Sequence, residues 1–343
     1  MIASRINIKF LILWLAVLFC TIYSQNDKNL IILGNKNIEV GILTEAGGRI
    51  VILRKPGFKN ILKSDSSLWI DPQKHINRIS AFSDFIAFNG HITWVGPQSE
   101  WWIYQNLNMD RYNSKADWPP DPYLIYGSNE IISRSDTSII MVGLKSPVSG
   151  LRFLKEISIN SSGLVKVTTT AENIRDENVS WDLYMLTRLD GFAQAYVPVD
   201  ENGILKLRFK EDDTREVTPY EIIDNYFTLA PSVPTKPKKE QEQEIHLYPS
   251  AGFIAGFDEH QMLLIHFTKL DKKQIHPEHG LVELYSNINE NGDERLLELE
   301  VHSVYKTLAP GETMSLTETW EVFPYNGNSN PEEQIKFLKN MIH

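Results

Sequence analysis

The 343-residue sequence has a single cysteine, Cys20, and it lies in an apolar run near the start of the chain. Past that run there is no thiol, which excludes a disulfide framework, a cysteine nucleophile and a thiolate metal site. A Ser-centred GxSxG elbow, a phosphate-cradling glycine loop and a dinucleotide fingerprint are also missing, so the chemistries that depend on them have no foothold. Helical crossovers long enough to join parallel strands are lacking as well, which argues against a parallel sheet.

The N-terminus has its own logic. Arg5 and Lys9 precede an apolar run over residues 10–20, followed by small and polar residues through Ser24. This is the order of a cleavable export signal, and the run is short for a bilayer span. Cleavage after Ser24, leaving Gln25 first, is the expected processing, and Phe19 stands where lipid modification of Cys20 would want a small residue. Removing residues 1–24 leaves 32 basic against 44 acidic residues, a net charge of −12. Such a chain is expected in the periplasm or outside the cell. It has no attraction for nucleic acid and no stable membrane insertion after cleavage.

What the chain does have is β-pattern. Short runs rich in Val, Ile, Tyr, Phe and Thr recur at 37–43, 49–54, 151–159, 164–172, 181–186, 204–209, 252–257, 262–268, 281–287, 296–302 and 314–322. Several alternate apolar and polar residues, the period of a half-buried antiparallel strand. Ser162-Gly163 and Asn291-Gly292-Asp293 supply turn chemistry between neighbouring runs. One antiparallel sandwich forming a single domain over residues 25–343 is the expectation. A helix is predicted from 331, where Asn330 can cap, Pro331 suits the first turn, and Ile335, Leu338 and Ile342 share a face. Residues 231–244 are too polar and proline-rich to pack and read as a solvated loop. Residues 99–122 form a long aromatic stretch of the kind that often carries function.

Two groups of residues could carry chemistry. Four of the eight tryptophans, Trp94, Trp101, Trp102 and Trp118, lie close in sequence to His91, Gln98 and Asp121. Flat rings against the CH faces of a pyranose, with amide and carboxylate groups on its hydroxyls, are a physical way to hold a sugar in water. Core packing is the competing reading for each ring. The second group is Leu297-Glu298-Leu299-Glu300-Val301-His302, where alternation sends two carboxylates and an imidazole to one face, with Glu283 able to pair from the preceding strand. A carboxylate raised in pKa by such neighbours can act as a general base; a plain solvent-facing strand is the alternative. His276 and His279 are three apart across a proline and do not form a zinc signature. No organic cofactor and no metal-ligand set is expected, although carboxylates and carbonyls at a cleft rim could hold calcium. Asn160 and Asn178 open glycosylation sequons that matter only in a glycosylating host.

Together these motifs resemble the galactose mutarotase-like superfamily and, within it, a group of bacterial secreted proteins. Glu45-Ala46-Gly47-Gly48-Arg49 resembles that family's early strand, and Gly90-His91-Ile92-Thr93-Trp94-Val95-Gly96-Pro97-Gln98 its glycine-tryptophan-proline segment. Leu297 to His302 is similar to the strand carrying the mutarotase catalytic glutamate, and Leu308 to Glu312 with Thr319 to Val322 looks like the final hairpin. The likeness covers residues 30–323 and implies a β-supersandwich and an exported, carbohydrate-active protein, an aldose 1-epimerase-like isomerase. It makes Glu300 the base at the anomeric hydroxyl, and the residue reading and the resemblance together put Arg49, Trp94, Gln98, Trp101, Trp102, Trp118, Asp121, Arg188 and Glu283 around the sugar. The family's histidine acid is missing from the corresponding strand at 181–190. His91 or His302 is then the acid, or Arg188 stabilises the oxyanion without giving a proton. A carbohydrate-binding protein that keeps the cleft without the chemistry is the alternative.

Overall fold

The computed structural model describes residues 30–208, 220–229, 241–289 and 295–342; the expected export signal, the expected turn at 291–293 and most of the 231–244 segment lie outside them. Twenty strands occur among the described residues. The first half of the chain forms β1 (Leu30–Gly34), β2 (Glu39–Leu43), β3 (Arg49–Arg54), β4 (His91–Gly96), β5 (Glu130–Arg134), β6 (Ser138–Val142), β7 (Leu151–Ile159) and β8 (Val165–Asn173). Then come β9 (Val179–Asp190), β10 (Gln194–Pro198), β11 (Ile204–Arg208), β12 (Tyr220–Ile223), β13 (Tyr226–Leu229), β14 (Gln241–Leu247) and β15 (Phe253–Phe257). The last are β16 (Gln261–Phe267), β17 (Val282–Ile288), β18 (Arg295–His302), β19 (Lys306–Leu308) and β20 (Thr313–Pro324). Where runs such as β7 and β8 alternate buried and more exposed residues, one face packs and the other meets solvent.

These strands make two sheets, paired antiparallel. One runs β1-β2-β3-β4-β9-β18-β17-β14-β11, with β19 also on β9; the other runs β12-β13-β10-β15-β16-β20-β8-β7-β6-β5. Between them lies the core, with Leu183, Met185 and Leu189 of β9 and Leu297, Leu299 and Val301 of β18 in one cluster with Val167, Ile254, Leu263 and Trp320. The all-β sandwich read from the sequence is the observed fold, including its C-terminal helix.

Among the described residues, three short α-helices lie between strands, α1 (Pro72–Ile76), α2 (Met109–Asn113) and α3 (Pro122–Tyr126), and a longer one, α4 (Pro331–Met341), follows β20. The helix α4 carries Ile335 and Leu338 into a smaller core with Tyr196, Phe253, Phe257 and Tyr325. Its cap is as the sequence suggested, with Asn330 Oδ1 accepting from Glu332 N at 2.9 Å. In and beside the long segment 99–122, Asn108 and Asp121 each cap a helical turn.

The expected loop at 231–244 is corrected at its end: Gln241 to Glu244 belong to β14, pairing with β17 from Gln241 opposite Ile288. Acidic composition disguised a strand there, since polar residues are tolerated where one face of the sheet lines an open cleft.

Candidate functional site

Five adjacent strands, β14, β17, β18, β9 and β4, build the site on the face of their sheet turned away from the inter-sheet core. Register sets the rows. His246 stands opposite Glu283, and Glu283 opposite Glu300; Glu244 opposite Tyr285, Tyr285 opposite Glu298, and Glu298 opposite Arg188; His302 opposite Tyr184, and Tyr184 opposite Trp94. Strand alternation thus gathers the polar side chains of five strands on one side while sending the leucines to the other.

Over this floor opens a cleft of about 650 Å³. Phe85, Trp94, Trp118 and Tyr184 supply aromatic walls, and Arg188, Glu283, Glu298, Glu300 and His279 the polar base, with Asn89, Gln98 and Asp117 also lining it. Trp118 is the accessible lip, 47% exposed, its ring 4.7 Å from Phe85 and 6.0 Å from Trp94.

Charges on the floor are closely paired. Arg188 Nε donates to Glu298 Oε1 at 2.6 Å, and its guanidinium lies 5.2 Å over the Trp94 ring. Glu283 Oε1 is the hub: it accepts from Gly280 N at 2.9 Å and lies 2.9 Å from His279 Nδ1 and 2.9 Å from His246 Nδ1. Burial opposes ionisation of Glu283, but the imidazoles of His302 and His279 outweigh it and hold the carboxyl well below its usual range. Conversely, burial works against a charged His246, yet its contacts with Glu244 and Glu283 push it up to about 9. Glu300 is different. Burial, then the negative charges of Glu298 and Glu283, raise it well above the ordinary carboxylate range. No hydrogen bond to Glu300 is formed among the described residues, and its carboxylate lies near Glu283 and His302.

The structure brings Trp94, Gln98, Trp118, Arg188, Glu283 and Glu300 of the sequence-derived set to the cleft. His302 lies just beneath it, stacked on Tyr184 at 4.8 Å and fully buried. The other residues of that set lie elsewhere. His91 points from β4 into the inter-sheet core, with Nδ1 2.9 Å from Thr187 Oγ1 and its ring edge-on to Trp320. Burial, then the charges of Lys155, Arg49 and Arg188, hold it well below the usual histidine range, so it is no proton donor to the cleft. Arg49 is buried too, donating to Asn89 O at 2.8 Å and Ile125 O at 3.3 Å, where it ties the turn at Gly47 to α3. Trp101 and Trp102 are core rings, donating to Val95 O and Pro119 O. Asp121 caps α3 and accepts from Ser146 Oγ and from Ser149 N at 3.1 Å, a local knot under the loop.

Asp182, Tyr184, His246 and His279 were missing from the sequence-derived set. A signal existed for two of them, since alternation along 181–190 puts Asp182 and Tyr184 on the face of Arg188. His279 arrives from a turn after β16, and only tertiary structure brings it in. Across the 275–279 segment a second cavity of about 630 Å³ is lined in part by Lys206, Lys272, Lys273, His246 and His276. Three sets of carboxylate and imidazole groups have donor atoms within 4.8 Å of one another: Asp182 with His279 and His302, Glu244 with His246 and Glu283, and Glu283 with Glu300 and His302.

A family model described as "Domain of unknown function (DUF4380)" matches residues 29–323. The chain belongs to the DUF4380 family. No curated protein matches it. Among solved structures, this DUF4380 domain is similar to a galactose mutarotase-like protein from Clostridium acetobutylicum, at 11% identity over 86% of this chain and 95% of that one, with a TM-score of 0.52. It is also similar to an Escherichia coli K12 protein described as a candidate aldose 1-epimerase, at 11% identity over 86% and 99%, TM-score 0.53. A galactose mutarotase related enzyme from Lactobacillus acidophilus aligns at 9% identity over 88% and 99%, TM-score 0.50. Identities this low establish a shared fold, the galactose mutarotase-like β-supersandwich, and leave function to be argued from the site.

Proposed function

We propose that this DUF4380 protein is exported and acts on a sugar or sugar derivative at its anomeric centre, with Glu300 as the proton-transfer group. The observation that carries the reading is the facing of an aromatic wall, Trp94 and Trp118, with a raised carboxyl at Glu300 across one open cleft. A ring lying on Trp118 exposes its hydroxyls to Glu283, Glu298 and Arg188. A carboxyl held above its usual range is a stronger base when ionised and remains a donor when protonated, which suits a reaction that moves one proton off the anomeric hydroxyl and returns it on reclosure. As that proton leaves and the bond from C1 to the ring oxygen breaks, the guanidinium of Arg188 supports the charge gathering on the oxygen. Rotation and reclosure then give the other anomer.

The test is the rate of anomer interconversion followed by polarimetry or NMR over common hexoses and uronic acids. Wild-type protein is expected to accelerate it, and Glu300→Gln to lower that acceleration by about 100-fold or more, the range of general acid–base catalysis, while sugar binding persists. No acceleration with any sugar would overturn the enzyme reading. One observation favours the alternative of a sugar-binding protein without chemistry: β9 turns Asp182, Tyr184 and Arg188 to this face, and no histidine, where mutarotases carry their acid. In that case Glu300→Gln leaves affinity intact and Trp118→Ala lowers it about tenfold, with no acceleration in the wild type.

A further inference from the structure

At the cleft floor and just beneath it, the side chains of Asp182, His279 and His302 aim donor atoms at one another without joining. His302 Nδ1 lies 3.5 Å and His279 Nε2 3.9 Å from Asp182 Oδ2. Both oxygens of Asp182, His279 Nε2 and both ring nitrogens of His302 are buried and make no hydrogen bond, with only long ion-pair contacts among Asp182, Glu283 and the two rings to offset that burial. Orphaned polar atoms at such depth are costly, and natural structures rarely keep them.

The spacing has a simple explanation. A tetrahedral ion with bonds of about 2.0–2.2 Å holds its ligand atoms roughly 3.3–3.6 Å apart, close to the separations found. Glu283 completes the pattern. Its Oε1 is 2.9 Å from His279 Nδ1 and 3.6 Å from His302 Nε2, so it faces the outer nitrogen of both rings and turns their inner nitrogens toward Asp182. This is the carboxylate–histidine arrangement that orients metal-bound imidazoles. Gly96 lies against the same spot: a Cβ there would stand 2.3 Å from Asp182 Oδ1 and 2.8 Å from His279 Nε2, so the backbone leaves this space free of any side chain.

We propose that Asp182, His279 and His302 form a binding site for a divalent transition metal of the zinc class, with Glu283 as the positioning residue. Two imidazoles and one carboxylate select such an ion over calcium or magnesium, which prefer all-oxygen shells. Three protein ligands leave a fourth position for water or a sugar oxygen, and His279 lines the cleft from which either would come. Of the histidine pair conspicuous in sequence, His279 alone takes part.

The inference is independent of the sugar reading, and its test reads metal rather than turnover. Tag-free full-length protein is dialysed against a chelator and titrated with Zn²⁺ by calorimetry, with Co²⁺ used in parallel for its visible spectrum. The expected result is one equivalent bound at micromolar affinity or tighter, a higher Tm, and the intense absorption of a four-coordinate Co²⁺ site. Glu283→Gln should weaken binding roughly 10–100-fold, His302→Gln more than that, and His276→Gln not at all. Absence of stoichiometric Zn²⁺ binding by the wild type, or unchanged affinity in folded His302→Gln and Asp182→Asn, overturns the site. Should those two variants fail to fold, a Co²⁺ spectrum of six-coordinate type or no spectrum at all in the wild type overturns it equally.

Discussion

At the scale of single residues, ionisable groups are buried away from the cleft as well as in it. Glu318 is fully buried between the sheets, accepting from Trp320 Nε1 at 2.7 Å, and burial pushes it up to about 8. A carboxyl whose pKa is higher folded than unfolded contributes most below the unfolded value near 4.5, and that contribution is lost as the pH rises through about 8. Thermal melts from pH 5 to 8 should therefore show a decline in stability that Glu318→Gln flattens; identical profiles for the two proteins would refute the assignment. Gly96 is equally constrained. With no space for a Cβ beside Asp182 and His279, Gly96→Ala should cost about 1–3 kcal/mol in chemical denaturation, the usual cost of overpacking.

At the scale of elements, the loops and helices divide into those that make the cleft and those that hold the sandwich. Trp118 belongs to the first kind. Its exposed ring forms the lip of the wall, so Trp118→Ala should cost about 1–2 kcal/mol of sugar affinity, roughly tenfold, in a titration, with little change in Tm. The helix α4 belongs to the second kind. Leu338 is completely buried against the second sheet, and Leu338→Ala should cost about 2–5 kcal/mol of stability. Binding at the cleft, which lies on the other sheet, should be unchanged in the folded fraction. The pairing of these two variants separates a docking residue from a packing one.

At the scale of the whole molecule, the sandwich was legible because antiparallel strands write their alternation directly into sequence. The run read at 151–159 is β7, that read at 49–54 is β3, and 296–302 lies within β18. The expected face of Glu298, Glu300 and His302 is the cleft side of the sheet for the same reason, with His302 just beneath the floor. Harder to read were strands whose composition is ruled by tertiary neighbours, such as β14, where Glu242 and Glu244 line the cleft and mimic a loop. The tryptophan cluster divided by burial, a property that local spacing does not encode: Trp94 and Trp118 reached the cleft, while Trp101 and Trp102 went to the core. His246 and His279 could not be placed because their partner Glu283 is brought to them by strand pairing and a turn. Among the described residues no helix is long and apolar enough to cross a membrane.

The cross-strand rows have a consequence for how the chain finds its fold. His246, Glu283, Glu300, Glu298 and Arg188 meet only when β14, β17, β18 and β9 are aligned as observed. A slip of one residue in β18 would drive Glu298 and Glu300 into the hydrocarbon between the sheets and leave Arg188 without its counter-ion. The charges of the cleft therefore also serve as an alignment key, penalising misregistered sheets before any ligand is present.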